Sequence, residues 1–146
     1  WSKTEKSYLA VVHGQCRKSE ETISTYLAEN KAHVMYSTSD PAKGKLSRTA
    51  YKVLKQTQEV ALLEVSLLTG RKNQIRAHLA GIGHPIVGDR RYGHEKESHA
   101  GLALHARSIS FTHPFSGQRL TFFAKVPAHF HKLVGSIACQ DGTSSP

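Results

Sequence analysis

Arg71, Lys72 and Arg76, followed by His84, Asp89 and Tyr92, fall in one twenty-five-residue run, TGRKNQIRAHLAGIGHPIVGDRRYG, over 69–93. Guanidinium and ammonium groups this close together suit phosphate or carboxylate binding. Arg76 has two readings that its spacing leaves open. It is a partly solvated guanidinium seeking an anion, or a surface arginine whose stem covers the core. Asp89 in Gly88-Asp89 is either a turn residue bonding nearby backbone amides or a general base or nucleophile. Tyr8 and Tyr92, both near basic residues, either stack on a splayed-out base or pack in the core with the hydroxyl outward. Lys43 and Lys45, with Arg48 just after, read as a phosphate-contacting loop or a solvated one.

These groups need elements to hold them. Residues 71–81 read as a short helix, with Ile75, Leu79 and Ile82 at i, i+4, i+7 as its core stripe. Lys72 and Arg76, one turn apart, are expected on another face, looking into a positive groove. Residues 7–13 (SYLAVVH) are β-prone and end at Gly14. The stretch 22–37 could form a strand or, over YLAENKAH, a helix; two strands about a turn at 29–31 are favoured. Pro41 and Gly44 make 39–47 a loop. Residues 48–56 and 60–69 form one hairpin, and 102–113 with 119–126 a second. Pro127 opens a last short helix, which Gly135 stops. The sum is an α+β domain on an antiparallel or mixed sheet with short flanking helices.

Composition narrows the partners. Twenty Lys and Arg against eleven Asp and Glu give a net charge of +9. A domain this basic usually meets a polyanion, RNA or DNA first among them; the alternative is a solvated basic surface with no partner. No apolar stretch reaches the about 20 residues that cross a bilayer. The first residues lack a signal-peptide pattern. Cys16 and Cys139 have no CxxC spacing, and two thiols in 146 residues fit a reducing cytosol. Among ten histidines no zinc-finger or HExxH spacing occurs, so no metal site is expected.

The same residues give the chain a resemblance to pseudouridine synthases of the RluA type. The run at 69–93 resembles the family's G-R-x-H-Q-I-R-x-H-L-x-x-x-G-H-P-I-x-G-D-x-x-Y-G motif, with Asn73 where His is usual. KSYLAVVHG at 6–14 resembles its K-x-Y-x-A-x-V-x-G strand. Leu104-His105-Ala106 and the later Phe111-Thr112-His113-Pro114 resemble its L-H-A segment and its hairpin. The likeness spans about 6–133. It implies isomerisation of uridine to pseudouridine in structured RNA (rRNA or tRNA), in the cytoplasm, with neither cofactor nor metal. The target base would be flipped from its stack. Tyr8 would stack on the uracil and serve in proton transfer, Arg76 would pair with the family's catalytic aspartate, and Leu104 would pack near the base. Lys43, Lys45, Arg48, Arg71 and Lys72 are the expected RNA contacts.

That aspartate belongs to an H-R-L-D-x-x-T-S-G motif, and none of Asp40, Asp89 and Asp141, the chain's only aspartates, has such a context. The expectation is therefore of the C-terminal part of a catalytic domain over 1–137, with a disordered tail over 138–146. The N-terminal part of the same enzyme would be needed for turnover. A non-catalytic RNA-binding domain and an unrelated basic domain for an acidic protein or nucleotide are the competing readings.

Overall fold

The computed structural model describes residues 5–93, 97 and 101–134. The expected tail, the stop at Gly135 and Cys139 lie outside them. The chain runs β1 (Glu5–His13), β2 (Glu20–Glu29), β3 (Met35–Thr38), β4 (Lys45–Gln56), β5 (Val60–Leu67), α1 (Gln74–Gly81), β6 (Leu104–Thr112), β7 (Arg119–Phe123) and α2 (Ala128–Val134). The strands form one seven-stranded sheet in the order β3-β2-β4-β5-β1-β6-β7. Every pairing is antiparallel. This is the α+β architecture that the sequence predicts.

The central strands carry the core. Leu9 to Val12 in β1 and Val60 to Leu63 in β5 are buried without alternation. Such runs mark strands covered on both faces. Register shows how they are covered. Tyr8 pairs with Val65, Val65 with Tyr51, and Leu67 with Thr49, so these share a face. On it lies α1, whose His78 reaches Thr49. Leu9 points the other way and pairs with His105, against which Phe130 of α2 sets its ring edge-on at 6.2 Å. Phe130 is fully buried, and burying such a ring contributes roughly 1.5–3 kcal/mol.

Two boundaries differ from the sequence reading, and one ambiguity is resolved. The 22–37 ambiguity resolves to two strands, as favoured. The loop expected over 39–47 ends earlier, because Lys45 already pairs with Leu27. Gly44 permits this: a Cβ there would sit 2.8 Å from the Leu27 carbonyl oxygen. The helix expected from Arg71 begins at Gln74. Asn73 takes a left-handed conformation, φ 51°, which an Asn side chain tolerates and which breaks the helical run. Lys72 is therefore not on the helix, and the Lys72/Arg76 face does not exist.

Candidate functional site: two grooves and an arginine–aspartate pair

Tyr8 sits half-buried on the α1 face of β1. It lines a groove of about 760 Å³ together with Lys6, Leu67, Gly70 and Arg71. A smaller, mostly apolar hollow of about 380 Å³ adjoins it, with Tyr8, Ala106, Ile109 and Phe122 on its walls. One aromatic ring between a cationic groove and an apolar floor suits a planar, hydrogen-bonding ligand such as a nucleobase. Arg71 lines this groove with Tyr8, and Arg76 does not line it. Its Nη2 donates to the Leu46 carbonyl at 3.0 Å, and its buried Nε has no hydrogen-bond partner among the described residues.

A second groove, of about 560 Å³, shares Gly70 and Arg71 with the first. Its walls bring Lys43, Lys45, Arg71 and Lys72 against a single acid, Glu29. Lys72 meets Glu29 at 2.5 Å. The hydrogen bond from Lys72 is the main cause that holds the Glu29 carboxyl below its ordinary range. Of the five predicted RNA contacts, four thus gather here. Arg48 does not. It alternates with Ser47 and Thr49, which are buried on the α1 face, so its side chain leaves from the opposite face and stays exposed.

Arg76 lies on the flank of α1 that faces the loop 88–93. Its Nε and Nη2 donate to the two Asp89 oxygens, each at 2.9 Å. Its Cζ stands 4.9 Å from the Tyr92 ring centroid. The Asp89 side chain has no exposure, whereas that of Arg76 keeps 22%. Asp89 Oδ1 also accepts the backbone N–H groups of Arg91 at 3.1 Å and Tyr92 at 2.9 Å. Burial pushes the Asp89 carboxyl up. The Arg76 fork and the two amides outweigh burial and hold it below the ordinary carboxylate range. The turn reading of Asp89 is the one realised. Tyr92 in turn accepts the Met35 N–H at 3.0 Å, so this loop also fastens β3 at the sheet edge.

A buried polar chain, not anticipated from the sequence, seats the segment before α1. Gln74 Oε1 accepts from the Thr69 hydroxyl at 2.7 Å and the Arg71 N–H at 3.0 Å. Its amide donates to Thr49 Oγ1 and the Arg48 carbonyl, both at 2.8 Å. Thr49 Oγ1 also forms a hydrogen bond with His78 Nδ1 at 2.7 Å. His78 Nε2 shares a second hydrogen bond with Thr25 Oγ1 at 2.8 Å, which leads on to Ser37 at 3.0 Å. Burial pushes the His78 pKa down, consistent with a neutral ring. The sequence did contain a signal: Gln74 and His78 stand one helical turn apart beside the apolar pair Ile75 and Leu79, where solvent-facing residues are not expected.

Leu104 packs against the core beside its partner Ala10. Ala106, two residues on, is the β6 residue opposite Tyr8. Among the described residues no cluster of His, Cys, Asp or Glu could hold a metal ion. No helix there is long and apolar enough to cross a membrane.

The family model described as RNA pseudouridylate synthase matches residues 2–81, which takes in β1 with Tyr8, the Gly70–Arg71 segment and α1. The chain belongs to the RNA pseudouridylate synthase family. Among other members, an uncharacterized RNA pseudouridine synthase of Mycoplasma genitalium is 36% identical over 136 residues, covering 91% of this chain and 44% of that protein. The ribosomal large subunit pseudouridine synthase C of Buchnera aphidicola is 32% identical over 148 residues, covering 92% and 46%. The human RNA pseudouridylate synthase domain containing 1 superposes with a TM-score of 0.75 at 28% identity, over 97% of this chain and 61% of that one. The chain thus spans less than half the length of these two curated family members.

Proposed function

We propose that this chain is part of the catalytic domain of an RNA pseudouridine synthase, which isomerises uridine in rRNA or tRNA without a cofactor. The observation that carries the reading is the Tyr8 groove: an aromatic ring from the family's strand shares a groove with Arg71 and adjoins an apolar hollow, near a second groove of lysines. A flipped uracil stacks on Tyr8, with Ala106 and Ile109 beneath it and Leu104 backing the β6 wall. Arg76 holds a catalytic carboxylate. Asp89 occupies its Nε and Nη2 and fixes the guanidinium plane, leaving the Nη1 edge for an aspartate from a segment with the H-R-L-D pattern. The reaction is cytoplasmic, and the rest of the catalytic domain is its required partner.

Neither described aspartate supplies that carboxylate. Asp40 Oδ1 accepts the Ala42 N–H at 2.9 Å in a turn, and Asp89 is held by Arg76. The 146-residue chain is therefore expected to bind RNA without converting it. Tritium release from labelled uridine RNA should be absent with the chain alone. It should appear when a family H-R-L-D-x-x-T-S-G segment is joined to the chain. Tyr8→Phe or Arg76→Ala in that joined protein should lower turnover by about 10²–10⁴. Turnover by the chain alone that vanishes in Asp89→Ala would place the chemistry at Asp89 instead.

Binding itself is expected to weaken as salt rises, because lysine and arginine release counterions from the phosphates they contact. Affinity for an RNA hairpin measured across a salt series checks this. A flat response would remove the polyanion reading and leave an acidic protein or nucleotide as partner.

A further inference from the structure

Gly70 lies between the two grooves and lines both. Nothing in the fold requires glycine there. Its φ is outside the left-handed region that favours glycine, and an added Cβ would meet no atom within 4 Å. Gly44 and Gly88 differ: an added Cβ would strike the backbone oxygen of Leu27 or of Gly101. The segment around Gly70 is nonetheless fixed. Gln74 holds Thr69 on one side and Arg71 on the other, and Thr69 Oγ1 accepts the Arg48 N–H at 3.0 Å. The result is a rigid, exposed saddle without a side chain, with Lys43 and Lys45 on one slope and Lys6 and Tyr8 on the other.

We infer that one unpaired RNA strand crosses this saddle, its phosphates in the Lys43–Lys45 groove and a base on Tyr8, and that the missing side chain at Gly70 is the opening it passes through. Close passage of a ligand is a recognised reason for glycine where conformation supplies none. Cationic grooves that track the backbone, joined to an aromatic surface for a base, are what single strands bind. The Arg71 guanidinium, at the crest, meets the phosphate that links the two slopes. This inference rests on the RNA reading above and adds the path, the strandedness and Gly70 as a determinant.

The test uses the 146-residue chain and a fluorescein-labelled, unstructured ten-nucleotide oligouridine, with anisotropy read over a salt series. Gly70→Leu should weaken binding at least tenfold and leave the thermal midpoint unchanged, while Gly70→Ala should weaken it less. The pair Lys43→Gln and Lys45→Gln should reduce the salt slope by about 1.4, at about 0.7 per phosphate contact on a single strand. Lys52→Gln, in a hollow with Glu20, Glu21 and Glu64, should change affinity less than twofold. If Gly70→Leu binds like the parent while the lysine pair still lowers the slope, the crossing is wrong and the RNA reading stands. If the parent's affinity ignores salt, both fall. A second measurement does not depend on the fold of any variant. One 5-iodouridine decamer should crosslink to Tyr8 and, in the same complex, shield Lys43 and Lys45 from acetylation. Crosslinking without shielding, or shielding without crosslinking, overturns the single-strand path.

Discussion

Asp89→Ala is expected to lower the stability of the chain by about 3–5 kcal/mol, the usual cost of removing one partner from a buried ion pair. The Asp89 carboxylate is buried, and two fork bonds from Arg76 and two backbone amides converge on it. Without it, Arg76 keeps a charge that is mostly out of water, and the turn at Arg91 and Tyr92 loses its acceptor. Tyr92 would then loosen its hold on the Met35 N–H, so β3 should fray at the sheet edge. The thermal midpoint should fall by about 10 °C or more. Hydrogen exchange should quicken first at Met35 and Tyr36. Asp89→Asn, which keeps one acceptor for the amides, should cost less. The pH response follows from the same geometry. Asp89 titrates below its unfolded value, so its contribution is complete above about pH 4 and is lost as pH falls through the folded pKa. An Asp89→Ala protein as stable as the parent in urea would show that the pair contributes nothing.

Thr49→Val is expected to cost about 2–4 kcal/mol although it preserves shape. Thr49 is fully buried, and its hydroxyl receives the Gln74 amide proton and hydrogen-bonds His78 Nδ1. Valine leaves a Gln74 amide hydrogen and His78 Nδ1 without that buried partner, at about 1–3 kcal/mol each. His78 adds a dependence on pH. Its folded pKa lies below the unfolded one, so the unfolded chain takes up the proton first. Stability is full above about pH 6.5 and declines as pH drops below it. Urea midpoints at pH 7.5 and 5.5 should therefore differ more for the parent than for His78→Gln. Equal differences in the two proteins would show that His78 does not drive the decline. Because Gln74 also holds the Arg71 N–H, Thr49→Val should weaken oligouridine binding as well, by loosening the saddle.

Much of this protein is legible along the chain. The β-prone runs at 7–13 and 60–69 and the two hairpins are set by local patterning and turn residues, which act over a few positions. The long run at 69–93 and the strand around Tyr8 are specific enough to identify the family, because they bring chemically distinctive residues into fixed spacing. The net charge already points to a polyanion as the expected partner. What the sequence left open was decided by contacts between residues far apart. Helix periodicity placed Lys72 and Arg76 on one face, but the left-handed Asn73 starts α1 later and turns Arg76 to Asp89. The choice for Asp89 between turn acceptor and base depended on that guanidinium, which arrives from another element. Arg48 fell to the wrong face because its alternation with Ser47 and Thr49 has a direction only once the sheet has a covered side. Arg71 shares a groove with Tyr8 because β5 pairs with β1 and brings the loop after it alongside that strand. Spacing fixes which residues can be neighbours within one element. Antiparallel register and the packing of α1 fix which of them meet across elements, and the grooves exist only at that level.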